Sequence, residues 1–263
     1  MDLYLAKKVF IITGGGSGIG AAISIALAKE GAIPVIFDRS DLSEEMKSAL
    51  GADYFYHKLD LGDVDACVLS VQLVLERYGR LDGLVNNAGN NDSVGIEAGL
   101  EKFFESLKSN LAHVYGMMHC CLPSLRATKG AVVNIASKVA LTGQGHTSGY
   151  AASKGGVLAL TREWAAELAS EGIRVNAILP AEVLTPLYTR WLRGFANPEE
   201  KRKQITNRIP LENRMTRPEE IADMAVFLLS SRSAHTTGQW ISVDGGYVHL
   251  DRALKEPSGN EIF

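Results

Sequence analysis

The chain has 263 residues, 46% of them hydrophobic and 22% charged, which is an ordinary globular composition with length enough for a large core. A formal net charge of −3 gives no electrostatic case for nucleic acid or for an anionic membrane surface. Three cysteines (Cys67, Cys120 and Cys121), odd in number and without metal-ligand spacing, exclude a disulfide framework and a cysteine metal site; no apolar run has the length of a membrane span or the form of a secretory leader, so a cytoplasmic location is expected.

Residues 9–13 are a short apolar, β-branched run, the pattern of a buried parallel strand. Residues 14–20 form a glycine-rich turn, and 21–29 read as a helix stopped by Gly31. Apolar runs at 34–37, closed by Asp38, and at 54–59, closed by Asp60, predict two further strands. An amphipathic helix follows over 64–78, then a strand over 83–85 that leads into Asn86-Asn87-Ala88-Gly89. The pattern predicts a long helix over 103–121, a strand over 131–137, a helix over 150–170, a strand over 174–179, a helix over 217–229 and a last strand over 240–243. This alternation, unbroken by linker or low-complexity sequence, predicts an α/β fold: one domain over residues 1–254, a doubly wound parallel sheet with helices on both faces. The polar excursion over about 182–210 lies where such sheets bind ligands and is the expected substrate lid. Residues 255–263 form a polar tail.

Three motifs carry chemistry. In Thr13-Gly14-Gly15-Gly16-Ser17-Gly18-Ile19-Gly20, glycines allow close backbone approach to a pyrophosphate, and the helix that follows presents unpaired N–H groups to it. Asp38, directly after the second strand, can accept both adenosine-ribose hydroxyls and repels a 2′-phosphate, so NAD is favoured. Arg39 could pair with that phosphate and keeps NADP open, whereas Ser17 is not basic. Tyr150 and Lys154 are one helical turn apart and share a face, with Ser137 ending a strand upstream. A free phenol titrates near ~10, and an adjacent ammonium with a positive nicotinamide ring is expected to lower that value. Tyr150 would then exchange a proton with a substrate oxygen held by Ser137.

Together, Thr13-Gly14-x-x-x-Gly18-x-Gly20, Asn86-Asn87-Ala88-Gly89, Asn110, Ser137 and Tyr150-x-x-x-Lys154 resemble the short-chain dehydrogenases/reductases, over about residues 8–247. The resemblance implies a Rossmann-type fold and catalysis by Asn110, Ser137, Tyr150 and Lys154. It implies that Asp60, followed by Leu61, meets adenine, that Asn87, Ala88 and Gly89 line the cofactor, and that Asn86 supports the sheet behind it. Lys154 would also bind the nicotinamide ribose, Asn110 would hold a water that links Lys154 to solvent, and Val183 and Thr185, beyond Pro180, would hold the carboxamide. Where the family usually has Pro-Gly, this chain has Pro180-Ala181, which leaves the path of that loop open. A homotetramer is implied, with 103–121 and 150–170 as the interface helices.

The expected substrate residues are Asn91, Ser137, Lys138, Gln144, His146, Tyr150, Glu182 and Trp191, a polar set with an aromatic face. A steroid or acyl-chain pocket would be richer in Leu, Met and Phe. Residues 142–150, 161–164, 180–183, 185–188 and 243–254 resemble a sugar-oxidising subgroup, the bacterial L-fucose dehydrogenases. That implies oxidation of the anomeric hydroxyl of an aldose such as L-fucose to its lactone, with Glu182 accepting from a ring hydroxyl. The alternatives are a 2-keto-3-deoxy sugar acid, for which Arg190 and Arg193 could serve, a polyol, or a 3-oxoacyl substrate. A non-catalytic NAD-sensing protein is the reading from another class; retention of both Tyr150 and Lys154 speaks against it.

Overall fold

The computed structural model describes residues 1–250; the expected tail over 255–263 lies outside the described residues. In chain order the elements are β1 (Val9–Thr13), α1 (Gly18–Lys29), β2 (Ile33–Asp38), α2 (Glu44–Leu50), β3 (Phe55–Lys58), α3 (Val64–Tyr78), β4 (Gly83–Asn86), α4 (Leu100–Leu107), α5 (His113–Thr128), β5 (Ala131–Ile135), α6 (Val139–Thr142), α7 (Ser148–Leu168), β6 (Arg174–Pro180), α8 (Pro186–Leu192), α9 (Pro198–Thr206), α10 (Pro218–Leu229) and β7 (Trp240–Val243). Seven strands make one parallel sheet in the order β3-β2-β1-β4-β5-β6-β7. The order reverses between β1 and β4, so a crevice opens at the carboxyl ends of those strands.

Alternation along the strands divides the core. Val9 and Ile11 of β1 face one layer, with Val74 of α3, Met117 and Leu125 of α5 and Leu158 of α7. Phe10 and Ile12 face the other, with Ile23 and Leu27 of α1 and Ile221 and Leu228 of α10. β1, β4 and β5 are buried throughout, which is why their sequences read as continuous apolar runs.

One expectation is corrected. The helix predicted over 103–121 is two helices, α4 and α5, joined by a π-helical turn over Lys108–Ala112 that contains Asn110. The excursion over 182–210 carries α8 and α9, each begun by a proline and capped by a side chain: Thr185 accepts from the Tyr188 N–H at 3.2 Å, and Asn197 from the Glu200 N–H at 3.2 Å. Leu192, Ile209 and Met215 form a small separate core there, with Tyr188, Ile205 and Tyr247 packed against it.

Candidate active site

The glycine turn sits at the switch point. Gly14 and Gly18 have φ of +62° and +55°, a conformation that L side chains rarely adopt. A Cβ on Gly20 would lie 2.1 Å from the Gly14 carbonyl oxygen, so only glycine lets α1 start against the turn. Ser17 precedes α1 without capping it through its side chain, which leaves the first-turn N–H groups directed at a ligand. Ile19 packs on the core. Thr13 and Asn87 join the turn to the end of β4: the Thr13 hydroxyl accepts from the N–H groups of Asn87 (3.0 Å) and Ala88 (3.1 Å), and Asn87 Nδ2 donates to the carbonyls of Thr13 (3.0 Å) and Gly14 (3.1 Å). Asp38, at the end of β2, accepts from the Gly16 and Ser40 N–H groups, both at 3.0 Å. Its carboxylate is thereby fixed beside the turn, while Arg39 is exposed. Asp60 is exposed and accepts from the Gly62 N–H at 2.9 Å; Leu61 is half-buried against the core. Positive φ, close approach and free helix N–H groups fit this crevice to a dinucleotide pyrophosphate, with a carboxylate at the ribose end.

Ser137, Tyr150 and Lys154 converge beyond β5. Lys154 is buried and donates to the Ile135 carbonyl at 2.6 Å; its Nζ lies 5.6 Å from the centre of the Tyr150 ring. Burial lowers the Lys154 ammonium to about 8. The expected fall in the Tyr150 pKa is not met by the protein alone: burial pushes it up to about 12, and the Ser137 hydroxyl pulls it back down by hydrogen bonding. Asn110 is buried in the π turn; its Oδ1 accepts from the Asn90 N–H at 2.8 Å and its Nδ2 faces Asp92 at 3.4 Å. A Cβ on Gly89 (φ +146°) would lie 2.9 Å from Asn110 Oδ1 and 3.7 Å from Lys154 Nζ, so this glycine lets the β4 strand end run between them. Asn86 supports the sheet as expected, through a buried chain from its Nδ2 to Asn134 Oδ1 and from Asn134 Nδ2 to Thr161 Oγ1, each 2.9 Å.

On the substrate side the expectations divide. Lys138 is buried and Glu182 half-buried; the two are bonded to each other, and the other Glu182 oxygen accepts from the Tyr188 hydroxyl at 2.5 Å. Glu182, expected to accept from a substrate hydroxyl, therefore has both oxygens engaged by the protein. Burial, with the Glu182 carboxylate, raises the Tyr188 pKa. Lys138 Nζ also sits 4.1 Å over the Tyr247 ring. Trp191 is 49% exposed and packs edge-on with Tyr188 and Phe195, at 5.2 and 4.7 Å between ring centres. Gln144, His146 and Asn91 are exposed loop residues; Asn91 accepts from the Ser93 N–H at 3.1 Å, and His146 has a φ of +55°. The Thr185 hydroxyl caps α8, and Val183 is buried and bridged to Thr216. Ala181 takes no positive φ, so alanine in place of glycine costs that loop nothing.

Sequence reasoning missed the Thr13 hydroxyl, Tyr247 and His113. His113 follows Asn110 by three positions, the spacing that puts both on one helix face, and that signal could have marked it. It is buried, and neither ring nitrogen has a hydrogen-bond partner of good geometry. Burial, then the Lys154 charge, lowers it to about 4, although the Ser109 carbonyl favours the proton. The three cysteines are unpaired, and burial pushes the Cys67 thiol up to about 11. Among the described residues no group of His, Cys, Asp or Glu could hold a metal ion, and no helix is long and apolar enough to cross a membrane.

A dinucleotide turn joined to a Ser–Tyr–Lys constellation on a doubly wound sheet defines an oxidoreductase that acts on CH–OH groups with a nicotinamide cofactor. The chain belongs to the short-chain dehydrogenase/reductase family: residues 14–248 match the family model described as Enoyl-(Acyl carrier protein) reductase. It is 37% identical to the 3-oxoacyl-[acyl-carrier-protein] reductase FabG of Thermotoga maritima, over 94% of this chain and 100% of that protein. It is 35% identical to the L-fucose dehydrogenase of Bos taurus, over 94% and 91%. Among solved structures, Cj0485 dehydrogenase superposes with a TM-score of 0.95 at 46% identity, over 97% of this chain and all of that one.

Proposed function

We propose that this protein is an NAD-dependent dehydrogenase that oxidises the anomeric hydroxyl of an aldose of the L-fucopyranose type to its lactone. The observation that carries the reading is the wall beside Ser137 and Tyr150. It consists of an ion pair between buried Lys138 and half-buried Glu182, faced by Tyr188 and Tyr247. An acyl chain would meet charge there, and the wall suits a ring with hydroxyls on one edge and C–H groups on the other. Arg190 and Arg193, which a carboxylate substrate would use, are exposed on and beyond α8. The likeness to L-fucose dehydrogenase supports the same choice.

In this reading Ser137 holds the C1 hydroxyl and Tyr150 takes its proton. Lys154 favours the tyrosinate and binds the nicotinamide ribose, and Asn110 holds the water that carries the proton outward. A nicotinamide cofactor held by the glycine turn and Lys154 would supply a hydride acceptor for C1 and the positive ring that burial of Tyr150 calls for. The balance is aldose and NAD to lactone, NADH and a proton. Asp38 beside the turn favours NAD over NADP. The enzyme acts in the cytoplasm as a homotetramer joined through α4, α5 and α7, where Leu100, Phe104 and Tyr115 are exposed; it takes no nucleic acid or membrane partner.

Initial rates with NAD and NADP on L-fucose, D-arabinose, L-galactose, a 3-oxoacyl thioester and a 2-keto-3-deoxy sugar acid test this, with lactone detected directly. L-Fucose and D-arabinose should lead, with one lactone per NADH. Turnover of the thioester or the acid alone would overturn the sugar reading and leave the family reaction intact.

A further inference from the structure

We infer that Lys138 is a positioning residue whose ammonium ties the helices over the substrate crevice and the turn after β7 to the strand end that bears Ser137. The inference rests on the reading that substrate binds beside Ser137. Lys138 follows Ser137 directly, and its own N–H donates to the Pro180 carbonyl at 3.0 Å, so its backbone is set by the paired ends of β5 and β6. Its side chain, 9% exposed, reaches three segments from there. It bonds Glu182 on the β6–α8 connection, and through Glu182 it reaches the hydroxyl of Tyr188 on α8 at 2.5 Å. It also lies over the ring of Tyr247, 4.1 Å from its centre, in the turn after β7.

Tyr188 and Tyr247 both pack on Leu192, Ile209 and Met215, the small core that α8, α9 and the turn share apart from the two main cores. The turn is itself joined to this region by the Leu211 N–H, which donates to the Gly245 carbonyl at 2.9 Å. The substrate-side elements thus form one packed unit, and Lys138 meets that unit directly at Tyr247 and through Glu182 at Tyr188.

A buried ion pair is a poor device for stability, since well-packed apolar residues do as well, but removing one partner leaves an uncompensated charge. Its use is directional. The ammonium sets the Glu182 carboxylate, the carboxylate sets the Tyr188 hydroxyl, and the hydroxyl sets α8 over the crevice. Lys138 acts on the substrate through these contacts and not by taking part in proton or hydride transfer.

The test uses the full-length enzyme with NADH bound and four variants: Lys138→Met, Glu182→Gln, the double variant and Tyr188→Phe. Hydrogen exchange is followed on the NADH complex over residues 186–206 and over the central strands, with NADH affinity, and KM and kcat are measured separately with saturating NAD for the fastest alcohol of the panel. Lys138→Met should raise exchange over 186–206 at least tenfold and leave the strands unchanged. KM should rise at least tenfold with kcat changed less and NADH affinity within twofold. Tyr188→Phe, which removes one hydroxyl and should fold normally, should move exchange and KM the same way by a smaller factor. The double variant should be less disturbed than Lys138→Met, because it leaves no unpaired charge. Unchanged exchange over 186–206 in both Lys138→Met and Tyr188→Phe would overturn the inference, as would loss of NADH affinity in step with KM. If the wild type oxidises no aldose, the proposed substrate fails while the exchange contrast still decides the role of Lys138.

Discussion

At Tyr150 two influences oppose each other. Burial holds its hydroxyl up at about 12, and the hydrogen bond with Ser137 works against that. The protein alone therefore keeps the phenol protonated at neutral pH, and positive charge at the nicotinamide position is what would release the proton. Tyr150→Phe keeps the ring and removes only the proton carrier. Turnover should fall ~10²–10⁴-fold, the usual range for a lost general acid or base, with NADH affinity measured by fluorescence titration within twofold. Turnover within a few-fold of wild type would refute the assignment. Asp38 is bound to the turn as well as open to a ribose, so its removal would disturb two things at once. Asp38→Asn keeps an acceptor for the Gly16 N–H and removes the charge. The ratio of kcat/KM for NADP to that for NAD should rise at least tenfold, ~1.4 kcal/mol or more, within the range for a hydrogen bond to a charged group. An unchanged ratio would reduce Asp38 to a tie for the turn.

At the scale of elements, all seven strands were found to within a residue or two; β1, β4 and β5 were legible because burial on both faces leaves an apolar run, whereas β3 and β7, half-buried at the sheet edges, showed as short runs rich in aromatic or β-branched residues. The glycine turn, Asp38, Ser137, Tyr150 and Lys154 could be singled out because each proposed role demands a particular residue type at a particular place relative to such a run. The break between α4 and α5 was not. Its sequence keeps an apolar helical pattern, and what accompanies the π turn, the hydrogen bonds of the Asn110 side chain with Asn90 and Asp92, comes from far along the chain. The helices α8 and α9 had local signals that a count of polar residues hid, Thr185-Pro186 and Asn197-Pro198, a side-chain cap followed by proline at the first helical position. The Lys138–Glu182 pair was beyond reach for another reason. Each residue was singled out as a substrate contact, but nothing in the sequence indicates that two strand ends in register will turn the side chains toward each other.

Across the whole molecule, the sheet order brings β1, β4 and β5 side by side, and Lys154 and His113 are two buried titratable groups whose charged forms burial disfavours. They act on stability in different ranges of pH. The Lys154 ammonium titrates at about 8 in the folded chain against an ordinary 10.5, so its burial penalty is complete below 8 and adds no slope in acid. His113 titrates at about 4 against 6.5. Between those values the unfolded chain takes a proton that the folded chain refuses, so stability falls as pH falls from about 6.5 toward 4. The slope attains at most ~1.4 kcal/mol per pH unit for one proton. Glu220, held at about 2 by Arg214, adds its own loss only below about 4.5, which leaves 6.5 to 4.5 to the histidine among these groups. His113→Leu fills a similar volume and removes two ring nitrogens that lack partners. Urea unfolding at pH 7.0, 6.0, 5.5 and 4.5 should therefore show the variant no less stable than wild type at pH 7 and progressively more stable than it toward pH 4.5. Parallel slopes for the two proteins across that range would mean that His113 takes its proton in the folded state, and that a partner for it is present in solution.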